Sequence, residues 1–361
     1  MRELNETIET WQAEGLDFGR AVVVRTFGSA PRPAGAVMLA AADGRLAGSV
    51  SGGCVEGAAF EQISSARHDD RARVIRYGIS DEQAWDVGLA CGGTIDVLVE
   101  PRLRPEIAAA ARSAGVCVAI PLPADAPPAE FGPVTPGDGE APPSVVLIAE
   151  NGSLTGSLGS PAADAFLREA ALKALDRGES GTVEIDGRQV FLEAYPVKPR
   201  LIVVGAVEVA RFLVRFAREL GYETIVVDGR ASFATPARFP DVDQLIVGWP
   251  DEVADQIGLG PRDAVAVLTH DVKFDEPAIV EALHRRARYV GAVGSRKTQG
   301  DRRVRLREAG LSDAELDQLR GPVGLDLGGR APAETALAIM AEIVAERRGG
   351  TGRPMRERIQ G

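Results

Sequence analysis

The chain has 361 residues, of which 45% are hydrophobic and 26% charged, a composition typical of a globular protein long enough for two domains. Its 52 acidic and 41 basic residues give a net charge of -11, which argues against non-specific binding to nucleic acid or to an anionic membrane. No apolar run approaches the roughly 18 residues of a transmembrane helix. The first residues lack the pattern of a secretory signal, so we expect a cytoplasmic protein.

The chain contains three cysteines, Cys54, Cys91 and Cys117. A small, odd number of cysteines in a cytosolic protein does not favour a disulfide framework. Three are also too few for a self-contained zinc or iron–sulfur site, and we predict no metal site. Cys117 lies within the apolar run AGVCVAI and is predicted to be a core residue, whereas glycines lie beside the other two.

The first part of the chain, residues 1–195, is predicted to form an α+β domain. Short runs of apolar and β-branched residues predict strands at 21–28, 34–41, 94–100, 144–150, 182–186 and 189–195. Helices are predicted at 105–115 and 164–175, and residues 43–45 are predicted to form a hairpin turn. Residues 121–143 are rich in proline, glycine and acidic residues, which indicates a loop or linker.

From Pro199 onward, apolar strands alternate with segments of helical spacing. The strands are RLIVVG, TIVVDGR, QLIVGW, AVAVLTH and YVGAVGS. Helices are predicted at 206–220, 276–286 and 332–348. Continuous apolar strands separated by helices indicate a parallel sheet covered on both faces. The predicted fold class is therefore α/β: an α+β domain, then a Rossmann-like doubly wound parallel sheet at 199–348 and a tail at 349–361.

The first strand–helix unit of the second domain has the outline of a dinucleotide-binding motif. Gly205 ends one strand and Asp228 ends the next, as in units that bind the pyrophosphate and ribose of NAD. However, Val207 stands where a glycine normally lets the backbone approach the phosphate, and Glu208 adds a negative charge beside the helix N-terminus. The pattern favours a Rossmann-shaped sheet without a bound dinucleotide over an NAD(P) site.

Two further loops of this domain precede helices and are candidate ligand sites. Gly294, Ser295 and Arg296 follow the strand YVGAV, where amides beside two cations suit an anion. The alternative is an ordinary basic first turn. Gly328 belongs to the glycine-rich segment GPVGLDLGGRAPAE before the last helix, which forms either a pocket wall or a plain helix cap.

The glycine- and cysteine-containing loops of the first domain carry a sharper signal. In SVSGGCVEG, Gly52 and Gly53 precede Cys54, so we expect the loop to expose backbone N–H groups and to admit a ligand close to the thiol. The following residues have helical character, which predicts Cys54 at a helix N-terminus, where the helix dipole favours thiolate. Cys91 opens a second such segment, ACGGTIDV. The alternative for both cysteines is a small buried hydrophobe next to a tight turn.

These motifs, in this order, resemble the XdhC/CoxI family, also called xanthine dehydrogenase accessory factors. The resemblance is carried by GSAPRPAGAVML, SVSGGCVEG and ACGGTIDV, and then by VVDGR, LTHD, YVGAVGSRKT and GPVGLDLGGRAPAE. It spans nearly the whole chain and implies a molybdenum cofactor chaperone. Such proteins bind the cofactor (molybdopterin) transiently, protect its sulfurated form and deliver it to a molybdenum hydroxylase such as xanthine dehydrogenase. The resemblance also implies a cysteine desulfurase as partner, and a homodimer.

The resemblance and the loops together give the predicted cofactor-binding residues, with no catalytic residue. In the first domain they are Arg32, Ser51, Gly52, Gly53, Cys54, Glu56, Cys91, Gly92 and Gly93. In the second domain they are Gly205, Asp228, Gly294, Ser295, Arg296 and Gly328. A deprotonated cysteine is a soft contact for molybdenum, and arginine or loop amides hold a phosphate. The cofactor is expected in the cleft between the domains.

The sequence departs from the family pattern at two places. Val207 and Glu208 replace a glycine and a histidine that family members often carry, which argues against a ligand role for that loop. Ala331 stands where the family usually has a threonine cap on the last helix, a loss of about 1 kcal/mol.

Two alternative functions stay open at this point. An NAD(P)-dependent oxidoreductase is suggested by the strand–helix–Asp228 pattern and disfavoured by Val207 and Glu208. A cofactor-free scaffold between a molybdoenzyme and a cysteine desulfurase would require none of the candidate residues. We expect no enzymatic activity of the chain's own.

Overall fold

The computed structural model describes residues 1–78, 93–128 and 144–357. The chain forms two compact units, Met1–Val197 and Lys198–Gly361. None of the helices in the described residues is long and apolar enough to cross a membrane.

The first unit contains, within its described residues, two five-stranded antiparallel sheets. The strands of the first sheet are β1 (Phe18–Phe27), β2 (Val37–Ala41), β3 (Leu46–Gly48), β4 (Arg73–Tyr77) and β5 (Thr94–Glu100), in the order β3-β2-β1-β5-β4. The strands of the second are β6 (Val116–Pro121), β7 (Val146–Ala149), β8 (Leu154–Thr155), β9 (Gly181–Ile185) and β10 (Arg188–Tyr195), in the order β8-β7-β6-β10-β9. The helices are α1 (Asn5–Ala13), α2 (Glu56–Asp69), α3 (Pro105–Arg112) and α4 (Pro161–Arg177).

The alternation of side chains along β1 explains the layering of this unit. Val22 and Val24 point into a cluster that also contains Ile120 and Phe191 of the second sheet, so the two sheets pack face to face. Val23 points to the opposite face, against α2. The outer face of the second sheet packs on α4 in the same way. The result is an α-β-β-α sandwich, in which each buried aliphatic side chain contributes about 1.5–3 kcal/mol.

A buried charge cluster joins the two sheets. Arg20 of β1 is fully buried and pairs with Glu100 of β5 and with Glu193 of β10, the latter at 2.9 Å between Nη1 and Oε2. The Tyr195 hydroxyl donates to Glu193 Oε1 at 2.6 Å. Because a buried charge is tolerated only when it is paired, this cluster fixes how the sheets pack rather than adding much net stability.

The second unit forms, over residues 198–357, a six-stranded parallel sheet with helices on both faces. Its strands are β11 (Arg200–Val204), β12 (Glu223–Asp228), β13 (Gln244–Val247), β14 (Asp263–Val267), β15 (Tyr289–Ala292) and β16 (Leu319–Arg320), in the order β13-β12-β11-β14-β15-β16. Its helices are α5 (Glu208–Glu219), α6 (Pro250–Ile257), α7 (Val272–His284), α8 (Arg296–Glu308), α9 (Asp313–Leu316) and α10 (Pro332–Arg348). Apolar clusters lie on both faces of the sheet, and the predicted Rossmann-like fold class is confirmed. The strand order reverses between β11 and β14, which is where ligands bind in such sheets.

Some element boundaries differ from the prediction for identifiable reasons. Helix α3 ends at Arg112, not at residue 115, because Ser113 is already extended. Helix α7 begins at Val272, four residues before its predicted start, because the Asp271 side chain accepts a hydrogen bond from Lys273 N and caps the helix there. Strand β2 begins at Val37 rather than at residue 34, since the preceding residues form a turn.

Candidate functional site

The loop between β3 and α2 folds around the side chain of Glu56. Glu56 Oε1 accepts hydrogen bonds from Ser49 Oγ at 2.6 Å, Val50 N at 3.2 Å and Ser51 N at 3.0 Å. Its Oε2 accepts from Ser51 Oγ at 2.6 Å and Gly53 N at 2.9 Å. Burial raises the pKa of Glu56, but these hydrogen bonds outweigh burial and bring the pKa down to about 2. The carboxylate is therefore ionised at neutral pH.

The remaining amides of this loop are also occupied. Gly52 N donates to Ser49 Oγ at 2.8 Å, and the N–H groups of Cys54 and Val55 donate to Ser51 Oγ at 2.9 and 3.0 Å. The expectation that this loop offers exposed amides to a ligand is therefore wrong. An anion of the chain's own, Glu56, already fills the nest that the glycine-rich loop forms.

Cys54 lies beside an open face of the same loop. Gly52 and Gly53 have φ of +83° and +118°, and a Cβ added at either would meet nothing within 4 Å. Cys54 is half-buried and packs on the edge of the apolar cluster beneath α2. It lies two residues before Glu56, the first residue of the helix, so it precedes the helix N-terminus rather than opening the helix. Cys117, by contrast, is fully buried, and burial raises the pKa of its thiol to about 12.

Two further motif segments meet at this side of the first sheet. Gly93 packs so closely on the backbone of Ser29 and Ala30 that an added Cβ would lie 2.8 Å from it. Ala30 packs on the same apolar cluster as Cys54. The segments around residues 27–39, 49–56 and 93 thus converge, although they are far apart in sequence. Cys91 and Gly92 lie outside the described residues.

Arg32 lies in the loop between β1 and β2 and retains a buried donor. Its Nε is buried without a hydrogen-bond partner. Its Nη2 lies 3.7 Å from Glu3 Oε1, and 39% of its side chain is exposed. The single long ion pair leaves the guanidinium able to take another anion.

Sequence reasoning missed a charged cluster in the same sheet. Asp96 of β5 is fully buried and is shared by Arg25 of β1, at 2.9 Å, and Arg76 of β4, at 2.7 Å. Burial lowers the pKa of Arg25, Asp96 opposes that, and Arg76 lowers it further. The sequence contained a signal for this cluster, since Arg25 and Asp96 are charged residues inside the mainly apolar strand segments VVVRTF and TIDVLVE.

In the second unit, Gly205 and Asp228 meet at the end of β11. Gly205 has φ of +110°, and an added Cβ would lie 2.5 Å from Thr269 Cγ2. Asp228 is buried and accepts from Ala206 N at 2.8 Å. Arg230 donates to both of its oxygens, at 2.8 and 2.6 Å. Burial raises the pKa of Asp228, but these hydrogen bonds lower it overall, so protein groups already satisfy the carboxylate.

The helix that follows offers little to a phosphate. Val207 is the N-cap residue of α5 and makes no side-chain cap. Glu208 opens the helix and pairs with Arg211 at 2.8 Å. A carboxylate in the first turn repels a phosphate, as the sequence had indicated.

The other two predicted loops are built as helix caps. Ser295 Oγ accepts from Thr298 N at 3.1 Å and caps α8, next to Gly294, whose φ is +134°. The Arg296 side chain is exposed in the first turn of that helix.

Gly328 precedes α10 and has φ of +75° in open space. The Glu334 carboxylate accepts from the N–H groups of Arg330 and Ala331, each at 2.9 Å. Ala331 itself makes no side-chain cap, so the carboxylate of the first turn supplies the cap alone.

The predicted residues therefore fall into two sets, one in each compact unit. Within residues 1–78, 93–128 and 144–357, no group of three His, Cys, Asp or Glu side chains is placed to hold a metal ion. The first set offers a half-buried thiol and a guanidinium, and the second offers the carboxyl edge of a parallel sheet.

Comparisons with known proteins match both units. The model of the XdhC and CoxI family matches residues 11–78, and that of the XdhC Rossmann domain matches residues 201–343. A relative from Bacillus subtilis, named as a probable subunit of xanthine dehydrogenase, is 29% identical over 91% of this chain and 92% of its own length. The molybdenum cofactor insertion chaperone PaoD of Escherichia coli is 28% identical over 95% of this chain and 89% of its own length.

A solved structure shares the fold. A protein of Bacillus halodurans, described as a xanthine dehydrogenase, superposes with a TM-score of 0.67 at 25% identity and covers 98% of this chain and 97% of its own. Because the two family models match in the two separate units and the relatives align along nearly the whole length, the chain belongs to the XdhC and CoxI family.

Proposed function

We propose that this protein is an accessory factor that binds molybdenum cofactor and delivers it to a molybdenum hydroxylase of the xanthine dehydrogenase type. One observation carries the proposal: the chain aligns over 95% of its length with a relative named as a molybdenum cofactor insertion chaperone. The alignment includes both compact units, so it is not a likeness of the Rossmann-like fold alone.

The residues of the first unit suit one end of the cofactor. Molybdenum is thiophilic, and Cys54 presents a half-buried thiol beside Gly52 and Gly53, whose α-carbons face open space. The absence of Cβ atoms allows a bulky ligand to approach the thiol. We assign Cys54 as the contact to the metal end of the cofactor.

The cofactor's phosphate requires a different partner from the one expected. The amides of residues 50–55 are held by Glu56, Ser49 and Ser51, so they do not suit a phosphate. Arg32 fits better, since its Nε is buried without a partner and its ion pair with Glu3 is long. We assign Arg32 as a phosphate contact.

The finer parts of the proposal follow from the family resemblance. We propose that the protein carries the cofactor transiently, protects its sulfurated form, and works with a cysteine desulfurase as a homodimer in the cytoplasm. The expectation that the cofactor lies in a cleft between the domains stays a prediction.

An NAD(P)-dependent oxidoreductase is not favoured by the geometry of the second unit. The ribose-binding acid of such enzymes must have a lone pair to offer, yet Asp228 is engaged by Ala206 N and Arg230. Val207 and Glu208 lie at the start of α5, where a pyrophosphate would require a glycine and the absence of a negative charge.

The test is equilibrium binding of molybdenum cofactor to the native protein and to Cys54→Ala. We expect micromolar or tighter binding by the native protein and a loss of at least tenfold in the variant. Cys117→Ala is the matched control, because it removes a thiol from the core and not from the loop.

Equal affinity for Cys54→Ala and the native protein would remove the thiol from the site. No binding by the native protein, together with capture of a molybdenum hydroxylase from a cofactor-free lysate, would favour the scaffold alternative instead.

A further inference from the structure

The carboxyl edge of the Rossmann-like sheet contains a recess that no role described above uses. Its volume is about 110 Å³, and it lies where β12, β13 and β14 end. Trp249 and Phe274 pack against each other in a tilted pair, with ring centroids 5.4 Å apart and planes at 53°, and both line the recess. In doubly wound sheets, ligands bind outside the carboxyl ends of the strands. The recess is thus placed where this fold binds small molecules.

The aromatic lining of the recess suits a flat ring. Trp249 is 45% exposed, which is a large exposed fraction for an aromatic side chain, whereas Phe274 is buried. Gly229 allows this arrangement, since an added Cβ would lie 3.3 Å from the Phe274 ring and 3.9 Å from Trp249. Exposed aromatic faces stack on heterocycles of any kind, which supplies affinity without dictating which ring binds.

The polar groups of the recess select the edge of the ring. Asp271 caps α7 with Oδ1, and its Oδ2 accepts no hydrogen bond from the residues that the structure describes. Asp228 adds a second carboxylate, and the Arg230 guanidinium that pairs with it is held over the Phe233 ring at 3.9 Å. Two carboxylates against one cation leave a net negative charge. Such a lining attracts ring N–H and amino donors and repels a phosphate.

The size of the recess sets how much of a ligand enters it. A closed apolar cavity of about 150 Å³ holds one benzene molecule. A recess of 110 Å³ with an open side therefore holds part of one ring system and leaves the remainder outside. A whole dinucleotide does not fit, in agreement with Val207 and Glu208 at the start of α5.

We propose that the recess lined by Trp249 and Phe274 binds the amino-bearing edge of a pyrimidine-type heterocycle, with Asp271 accepting a hydrogen bond from its amino group. This inference rests on the proposed function, because the molybdenum cofactor provides two such groups: its pterin, and the base of its nucleotide-modified form. The chemistry is shared, and the two sources are separated by experiment.

The experiment is calorimetric titration of the full-length protein with pterin, guanosine and cytidine. Inosine and uridine serve as counterparts that lack the amino group. We expect binding of at least one amino-bearing compound, and we expect Trp249→Ala to weaken it about tenfold or more, because stacking on one aromatic face has that magnitude. Phe166→Ala is the matched control, since Phe166 is also an exposed aromatic side chain, at 53%, but lies on α4 in the first unit.

Asp271→Asn provides an independent test that leaves the aromatic side chains of the recess intact. Asparagine still caps α7, so we expect the fold to be kept. The substitution replaces one of the two acceptor oxygens by an amide donor and removes the negative charge. We expect the native protein to prefer guanosine over inosine, or cytidine over uridine, and the variant to lose that preference. Binding of pterin alone would assign the recess to the pterin, and binding of a nucleoside alone would assign it to the base.

The inference is overturned if none of the three compounds binds, or if Trp249→Ala leaves their affinity within twofold. Retention of the molybdenum cofactor is measured in parallel on the same variants. Cofactor bound equally by native protein and Trp249→Ala, without heterocycle binding, rejects the recess and keeps the proposed function. Heterocycle binding without cofactor retention rejects the proposed function and keeps the recess.

Discussion

The loop before α2 and the loop before α5 both contain glycines, but they differ in the space that lies beside those glycines. Both are glycine-containing turns in which a carboxylate of the protein accepts from backbone amides: Glu56 accepts from three amides in the first unit, and Asp228 accepts from Ala206 N in the second. In the first, the glycines face open space beside the Cys54 thiol. In the second, Gly205 is packed on Thr269, which leaves no room for a ligand at its α-carbon.

This contrast shows what a glycine-rich loop does and does not predict. Glycine predicts a backbone conformation, and the partner of the amides has to be found separately. In both loops an acidic side chain of the protein itself is one of these partners. The accessible chemistry then lies beside the loop: a thiol in the first unit, and the aromatic recess at Trp249 in the second.

The largest expected effect comes from adding a side chain at Gly205, in the tightly packed loop before α5. Gly205→Ala forces a Cβ to 2.5 Å from Thr269 Cγ2 at φ of +110°, so strain and overpacking add. We expect a loss of about 2–4 kcal/mol in the free energy of unfolding, measured by urea denaturation. Gly52→Ala is the paired variant: its φ of +83° is strained but its space is open, so a loss of about 1–2 kcal/mol is expected. Equal losses in the two variants would contradict the contrast.

The next largest effect comes from replacing the Glu56 carboxylate, which organises the loop before α2. Glu56→Gln replaces one of two acceptor oxygens by an amide donor that faces Ser51 Oγ and Gly53 N. We expect a loss of about 2–3 kcal/mol in the free energy of unfolding, since hydrogen bonds to a charged group are lost. Glu61→Gln, an exposed position on the same helix, should change it by less than about 0.5 kcal/mol. A Glu56→Gln loss as small as that would mean that the carboxylate does not hold the loop.

The same carboxylate gives a pH signature. The pKa of Glu56 is about 2 in the fold, against an ordinary value of 4.5. Because the folded pKa is the lower one, its stabilisation is present above about pH 4.5 and is lost as the pH falls toward 2. The free energy of unfolding in urea, followed from pH 6 to pH 3, should therefore fall more steeply in native protein than in Glu56→Gln. Parallel curves would show that Glu56 titrates normally.

The smallest expected effect is a gain in stability from capping the last helix, α10. Ala331 is the N-cap of α10 and makes no side-chain cap, while its backbone is extended as capping residues require. Ala331→Thr should add about 1 kcal/mol to the free energy of unfolding, measured by urea denaturation. Unchanged or lower stability would mean that the threonine hydroxyl does not accept a hydrogen bond from the N–H groups of the first turn of α10.

The fold was predictable from the sequence to the extent that burial patterns were unambiguous. Continuous apolar runs such as LIVV at 201–204 predicted the buried parallel strands of the second unit. The two packed sheets of the first unit were not predicted as such, because short amphipathic strands do not reveal which faces meet. Arg20, which joins the sheets through Glu193, looks like any surface arginine in the sequence.

The candidate site was predictable in position but not in detail. The motif segments around Ala30, Cys54 and Gly93 do converge. Sequence could not show that Glu56 occupies the loop amides, since a glutamate at the first turn of a helix is common wherever amides are free. The recess at Trp249 was missed because its two walls come from segments 25 residues apart (274 − 249 = 25), and no local spacing connects them.

Contact between the cofactor and the loop before α2 is tested most directly at Cys54. The measurement is the rate at which iodoacetamide modifies Cys54, followed by peptide mass spectrometry with and without bound molybdenum cofactor. Cys117 is the internal reference, since it is fully buried and its pKa is raised to about 12. We predict that the cofactor slows modification of Cys54 at least tenfold and leaves Cys117 unmodified in both samples. An unchanged rate at Cys54, in protein shown to hold the cofactor, would contradict that contact.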